Sequence, residues 1–321
     1  DSDLHNFFYK KGTSDKDQKD GGSFGLGKNT YFTTSNIRTV IASTEYRNES
    51  EEDESCIIGL TTFMSAQVEE AEGSQNQTEY ESHQWYLSFE VTKPFKKNDL
   101  MDNPEYNWLI RDEGTTGTTF FILGIPEINT VKEQIQIGII NNFFLSIIRG
   151  KLVVKIQDEL IDESNIVKKI EELKNEANNF VDEDTMNQFF RSSAYIECDK
   201  NPTYEETLSV KWIGKCSVKL KICDAEEGQR KFGHTVIARN DFLVCRCYES
   251  KNVPNLKQWP SRCKQFVALI EPKDIKSATF IKNLENPSHS DLTPQILENE
   301  EEKSRRKEAL DDLGTKVRAF I

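Results

Sequence analysis

The first third of the chain contains segments in which apolar and more polar residues alternate. In "WYLSFEV" the residues Trp85, Leu87, Phe89 and Val91 occupy every second position. A period of two is typical of a strand with one buried face. Together with nearby apolar runs, the pattern predicts strands at residues 37–44, 56–63, 85–91 and 118–125. Residues 66–82 are polar, and we expect a mobile loop there.

After Pro126 the spacing of apolar residues becomes helical. One helix is predicted from Val131, Ile135, Asn142, Leu145 and Ile148, and it ends at Gly150, where a helix C-cap is expected. The strand "KLVVKI" follows. A second amphipathic helix is predicted from Ile166, Ile170, Leu173, Ala177 and Phe180.

The last part of the chain predicts a second sheet and a closing helix. Strands are expected at about 207–213, 216–222, 234–239, 242–248 and 265–270, and the helix at 295–321. The predicted class is therefore α+β. We expect four segments: 1–128, a first α/β domain; 129–193, connecting helices and a strand; 194–286, a second α/β domain; and 287–321, a loop and helix.

Composition excludes several function classes. No apolar run reaches the roughly 18 residues of a membrane span, so no membrane partner is expected. Seven cysteines without dense spacing suggest reduced thiols and a cytoplasmic protein. Cys245 and Cys247 share one face of a predicted strand, which favours a core position over a metal site.

Charge argues against a protein whose whole surface binds nucleic acid, because the net charge is −13. One basic strand is the exception. Ser217, Lys219 and Lys221 alternate with apolar residues, which is typical of the solvent face of a half-buried strand. A DNA-contacting role for these lysines is the alternative interpretation.

The stretch "KDGGSFGLGKNTYFTTSN" concentrates glycines before a predicted helix. Such a stretch usually binds phosphate, because glycines let backbone N–H groups approach phosphate oxygens and the helix N-terminus is positive. It is not a P-loop, since Asn29 replaces the required hydroxyl residue and no apolar strand precedes Gly22. Nor is it a dinucleotide fingerprint, because Thr30 stands where the third glycine should be.

These residues resemble the ATP lid of the GHKL superfamily, which includes heat-shock chaperones, type II topoisomerases, MutL and Morc proteins. That lid reads S-x-K and then G-x-x-G-x-G-K. Here its elements are Ser14 and Lys16, followed by Gly22, Ser23, Phe24, Gly25, Leu26, Gly27 and Lys28. "GTTGTTFFILGI" is similar to the family's G-T box, in which Thr118 would lie near the adenine. The later segments resemble a bacterial branch of the superfamily.

The resemblance implies a partial GHKL (Bergerat) sandwich followed by a transducer-like domain. Residues 23–29 would hold the ATP phosphates, and Mg²⁺ would accompany the nucleotide. A basic residue of the transducer would reach the γ-phosphate, and Arg239, before a turn in "VIARND", is the candidate. The family's upstream helix, with a glutamate for water and an asparagine for Mg²⁺, has no counterpart here, so we expect a fragment or a degenerate version.

Three function classes therefore remain. The first is an ATP-binding switch or slow ATPase that passes lid closure to a second subunit or another protein partner. The second is a non-catalytic interaction module, in which the glycine stretch merely leads into a helix. A DNA-associated effector that uses the lysine strand is a third, weaker alternative.

Overall fold

The chain folds as a mixture of helices and sheets, which confirms the α+β class. The structure is a computed structural model, and it describes residues 7–8, 29–48, 50–62, 66–69, 77–80, 83–86, 88–90, 93–112, 114–126, 128–176, 183–224, 233–260, 263–286, 290–295 and 299–321. The chain divides between Ile128 and Asn129 into two compact units. Each unit is described by itself below.

The first unit is built on an antiparallel sheet of order β5-β2-β1-β8. In chain order its elements are α1 Asn29–Thr34, β1 Thr39–Arg47, β2 Asp53–Thr62, β3 Ala66–Glu69, β4 Gln77–Tyr80, β5 His83–Tyr86, β6 Ser88–Glu90, β7 Lys93–Pro94, α2 Lys97–Leu100, a 3₁₀ helix Pro104–Leu109, and β8 Gly117–Leu123. In the register of the two long central strands, Ala42 lies opposite Ile58 of β2 and Phe120 of β8.

Both faces of this sheet are covered, because successive side chains of a strand point to opposite sides. On one face Ala42, Ile58 and Leu60 are buried together with Phe8 and against Phe7, Phe32 and Phe120. On the other face Ile41 and Ile57 are buried with Leu100 and Leu109, which come from α2 and the 3₁₀ helix.

The strand predictions at 37–44, 56–63 and 118–125 are confirmed, and the one at 85–91 is recovered as β5 and β6. The loop expected at 66–82 is wrong in part, because β3 and β4 pair with each other in antiparallel register. β3 (AQVE) alternates over only four residues and β4 (QTEY) does not alternate, so periodicity alone misses the pair.

The second unit contains a five-stranded sheet of order β11-β12-β15-β13-β14, in which only β13 and β15 run parallel. Its elements are α3 Ile128–Ile148, β9 Val154–Ile156, β10 Glu159–Ile161, α4 Ile166–Glu176, α5 Glu183–Lys200, β11 Tyr204–Val210, β12 Gly214–Ile222, β13 Gly233–Arg239, β14 Phe242–Arg246, a 3₁₀ helix Pro254–Leu256, β15 Phe266–Pro272, α6 Ile275–Leu284 and α7 Glu300–Phe320. All five predicted strands are present.

Helices cover both faces of the second sheet. On one face, Val236 and Leu269 pack with apolar residues of α3, α4 and α5. On the other face, Ile237 and Ile270 pack with residues of α6 and α7. Residues 129–321 therefore form one unit with two apolar layers, although the sequence suggested three successive segments.

An ionic cluster lies where the ends of α3 and α5 meet the sheet. The Arg149 guanidinium contacts Asp199 at 2.6 Å, Asp241 at 2.5 Å and Glu271 at 2.8 Å. Lys219 pairs with Asp199 at 2.8 Å, and Lys151 with Asp241 at 2.6 Å. Hydrogen bonds to Glu271 raise the pKa of Arg149 despite its partial burial. One arginine thus joins two helices, a hairpin turn and β15.

Candidate functional site

An open depression of ≈ 670 Å³ lies in the first unit, where β1 ends and β8 begins. Four of its lining residues belong to β1, and the others belong to the turn before β8 and its first residues. They are Thr44, Glu45, Tyr46, Arg47, Gly114, Thr116, Gly117 and Thr118. The depression therefore contains the Gly-Thr pair that the sequence singled out.

The Thr118 hydroxyl is held by a neighbour on β1. Thr118 and Thr44 are directly opposite in the β1–β8 register, and their Oγ1 atoms lie 2.9 Å apart. The Thr44 hydroxyl also donates to the Gly117 carbonyl at 3.1 Å. Thr118 is exposed and Thr44 is half-buried, so neither threonine is a core residue. Thr44 carries no motif, and only the strand register reveals its place.

Gly117 meets two requirements at this position. Its φ of +136° lies in the region that favours glycine. A Cβ at this position would also come within 3.2 Å of Arg111 Nη2. Arg111 in turn donates to the Thr119 hydroxyl. Arg111 is a second residue near the site that sequence patterns did not identify.

The rim of the depression combines hydroxyls with charges that are already paired. Glu45 forms an ion pair of 3.2 Å with Lys97, and both side chains are largely buried. The Tyr46 hydroxyl donates to Glu54 at 3.2 Å, and burial followed by that contact raises the tyrosine's pKa. Arg47 pairs with Asp53 at 3.4 Å on the exposed surface. The site therefore offers hydroxyl and backbone groups for binding, and its charges balance locally.

Helix α1, which follows the glycine stretch in the sequence, packs on β8. The predicted phosphate-binding residues Lys16 and Gly22–Lys28 lie outside the described residues. Asn29 is described and is the exposed first residue of α1. Two positions later, the Tyr31 ring lies 4.9 Å from the Phe120 ring of β8. The beginning of α1 is thus packed on the strand that carries Thr118.

Arg239 lies at the end of β13 before a turn, as predicted, but its surroundings differ from those of a phosphate sensor. Its side chain is 1% exposed and pairs with Glu285, which is fully buried. Nη2 donates to Glu285 Oε2 at 3.0 Å, and Nε donates to Oε1. Glu285 thus binds the guanidinium group that a phosphate sensor would use to contact the γ-phosphate.

The two cysteines of "DFLVCRC" belong to the core, as predicted. Cys245 and Cys247 are both buried in the layer between the second sheet and α6 and α7. A hydrogen bond to Cys247, burial and nearby Asp291 together raise the pKa of Cys245, so its thiol stays protonated. Within the described ranges, no group of three or more His, Cys, Asp or Glu residues could hold a metal ion.

The lysine strand is engaged inside the second unit. Lys219 Nζ contacts Asp199 at 2.8 Å, and Lys221 Nζ donates to the Asn201 carbonyl at 2.9 Å. Ser217 is buried instead of exposed. The solvent-face prediction is therefore wrong for Ser217 and for most of Lys219. Ser217 donates to Glu205 of β11 at 3.1 Å, and Lys219 is held by Asp199 of α5. These contacts do not favour the DNA-contacting interpretation.

The comparisons with known proteins give no family. No protein-family model matches the chain, and no curated protein matches it. In the described part of the chain, every helix is too short or too polar to cross a membrane. The class of protein established by the structure is therefore an α+β chain of two units, and any narrower assignment depends on the candidate site.

Proposed function

We propose that this chain is part of an ATP-binding switch of the GHKL kind, in which Gly22–Lys28 form a lid over the phosphates and Thr118 lies beside the adenine. The observation that carries the proposal is the packing of α1 on β8. Tyr31 lies 4.9 Å from Phe120, two residues along the strand from Thr118. Helix α1, which follows the predicted lid in the sequence, is thus packed on the strand that carries the predicted adenine residue.

The chemistry of the depression supports a nucleotide base rather than a charged ligand. Thr44 and Thr118 offer hydroxyls, and Gly117 offers close backbone approach. The acidic and basic side chains of the rim neutralise one another. A neutral heterocycle with hydrogen-bonding edges suits such a surface.

In the proposed mechanism, binding rather than fast chemistry is the main event. The lid glycines would present backbone N–H groups to the phosphates, and Lys28 would add a positive charge. Mg²⁺, when bound, would neutralise phosphate charge, mostly through the phosphate oxygens themselves. Hydrolysis would require the glutamate of the upstream half of the site. Arg239 is left out of the proposed machinery, because Glu285 holds it in the core.

The proposal is tested by substituting one residue predicted to contact the phosphates and one predicted to contact the adenine. We expect Lys28→Ala to lower affinity for a fluorescent ATP analogue about tenfold, the effect of ~1.4 kcal/mol. Thr118→Val, which keeps the side-chain shape, should weaken ATP binding but leave inorganic tripolyphosphate binding unchanged. The matched controls are Lys307→Ala and Thr33→Val, exposed residues on α7 and α1. Equal affinity in all four variants would overturn the proposal.

The same binding measurements distinguish the nucleotide switch from a non-catalytic interaction module. A non-catalytic interaction module would bind neither ATP nor tripolyphosphate, because its glycine stretch would be only a connection. Binding of tripolyphosphate that survives Thr118→Val while ATP binding falls is the result that only the nucleotide switch predicts.

A further inference from the structure

An aromatic side chain of β1 lines the depression beside the two threonines. Tyr46 is 43% exposed, and it is one of the residues that form the wall of the depression. The face of an aromatic ring is flat and apolar, and it binds best to another flat ring that lies against it. The position of this ring therefore bears on which class of ligand the depression holds.

Strand geometry places the Tyr46 ring on the same face of the sheet as the two hydroxyls. Residues two apart on a strand point to one face, so Tyr46 follows Thr44, which lies opposite Thr118. The β1–β8 ladder ends where Glu45 lies opposite Gly117, one residue before Tyr46. On its β8 side, the Tyr46 ring therefore faces the depression rather than a paired strand residue.

The hydroxyl of Tyr46 holds the ring in place. Tyr46 lies directly opposite Glu54 of β2, and its hydroxyl donates to Glu54 Oε2 at 3.2 Å. The Glu54 carboxylate is held in turn, because Asn48 Nδ2 donates to Oε1 at 3.0 Å and Lys96 Nζ lies 3.7 Å from Oε2. A side chain that is ordered before the ligand arrives loses less conformational entropy on binding. This network therefore prepares the ring for a ligand.

We propose that the base of the bound nucleotide stacks on the ring of Tyr46. The contact rests on the proposed function, since it assumes that the depression holds a nucleotide. It narrows the ligand to molecules that carry a flat aromatic heterocycle, because a sugar or a free phosphate has no flat face to cover the ring.

The ring and the threonines suit different parts of a base. Residues two apart on a strand are separated by about 7 Å, so a base that lies on Tyr46 has its edge beside the hydroxyls of Thr44 and Thr118. Its face contacts the tyrosine, and its polar edge meets the hydroxyls. Stacking discriminates little among bases, because every base has a π face. The threonines, rather than Tyr46, would then determine which base is preferred.

Replacing the ring tests the contact. Tyr46→Ile removes the ring but keeps a residue that favours strands, so the affinity for ATP should fall about tenfold. Tyr46→Phe keeps the ring and should retain most of the affinity. Inorganic tripolyphosphate has no base and should bind both variants as tightly as it binds the wild type. The matched control is Tyr106→Ile, at another exposed tyrosine of the first unit, which should change none of these affinities.

Proton NMR gives a readout that a change in folding does not imitate. The ring current of an aromatic side chain shifts protons above its face upfield. The adenine H2 and H8 signals should therefore move upfield when ATP binds the wild type or Tyr46→Phe, and this shift should be absent with Tyr46→Ile. Circular dichroism of each variant gives the folding control.

The outcomes distinguish this contact from the ATP switch itself. If ATP binding depends on Lys28 and Thr118 but Tyr46→Ile leaves it unchanged, the stacking contact is overturned and the switch stands. Bound adenine signals that do not move upfield in the wild type also overturn the contact, as does an equal loss of tripolyphosphate affinity in Tyr46→Ile. A wild type that binds no ATP overturns the switch, and the contact with it.

Discussion

The clearest energetic conflict at the residue scale is the pair of Arg239 and Glu285. Their side chains are 1% and 0% exposed, so both charges have lost nearly all contact with water. Removing one partner of a buried ion pair usually costs much more than the pair itself contributes, because the other charge stays buried. The pair is therefore better regarded as a constraint on the core than as a source of stability.

Replacing one or both partners tests this view. We expect Arg239→Leu to lower the free energy of unfolding by about 3–5 kcal/mol, since Glu285 loses its arginine. Arg239→Leu combined with Glu285→Met should recover most of that loss. Urea unfolding measures both values. If the double variant is less stable than Arg239→Leu alone, the pair itself is stabilising and the explanation is wrong.

At the scale of one element, one glycine lies within α3 and another just after its end, and the two positions require different backbone conformations. Gly150 follows the helix with a φ of +65°, and an added Cβ would lie 2.9 Å from Glu163 Oε2. Gly138 lies within α3, and nothing would lie within 4 Å of its Cβ. The first glycine ends the helix, whereas the second only weakens it.

The same substitution at these two positions should have opposite effects. Gly150→Ala should destabilise the protein by about 1–2 kcal/mol, because an alanine resists the left-handed conformation. Gly138→Ala should stabilise it by up to about 1 kcal/mol, since alanine favours the helix. Denaturant midpoints measured side by side compare them. Two changes of the same sign would contradict this account of the helix end.

Helices and strands could be predicted from the sequence where the spacing of apolar residues within one segment determines them. The helical spacing and Gly150 identified α3, and alternation identified most long strands. Helix α6 was missed: it has only ten residues, and its start depends on Asp274, which accepts the Ser277 N–H at 2.8 Å. The burial of Arg239 was also missed, because Glu285 is distant in sequence. Thr44 was missed because its role comes from strand pairing with Thr118.

At the scale of the whole molecule, the cluster around Arg149 makes stability depend on pH. Burial would raise the pKa of Asp199, but hydrogen bonds from Arg149 and Lys219 outweigh it and hold the pKa below its ordinary value. The pKa of Asp241 is lowered in the same way, because hydrogen bonds from Lys151 and Arg149 outweigh its burial. A carboxylate with a lowered folded-state pKa adds stability above its unfolded-state pKa, near 4, and loses it as the pH falls further.

Comparing pH 7 with pH 3 isolates this contribution. The free energy of unfolding should fall between these values in the wild type, and it should fall less in Arg149→Met, whose carboxylates have lost their main partner. The comparison is needed because acid also reduces the repulsion that comes from a net charge of −13. An identical pH dependence in both proteins would show that the cluster does not control acid stability.

The position of β15 in the second sheet has a consequence for how the chain is made. β15 lies between β12 and β13, yet it is the last of the five strands to leave the ribosome. Until Phe266–Pro272 emerge, the hairpins β11–β12 and β13–β14 have no strand to join them. Such non-local pairing is slow and leaves strand edges open to other chains. Nascent chains stalled before residue 266 should therefore need protection that the finished protein does not.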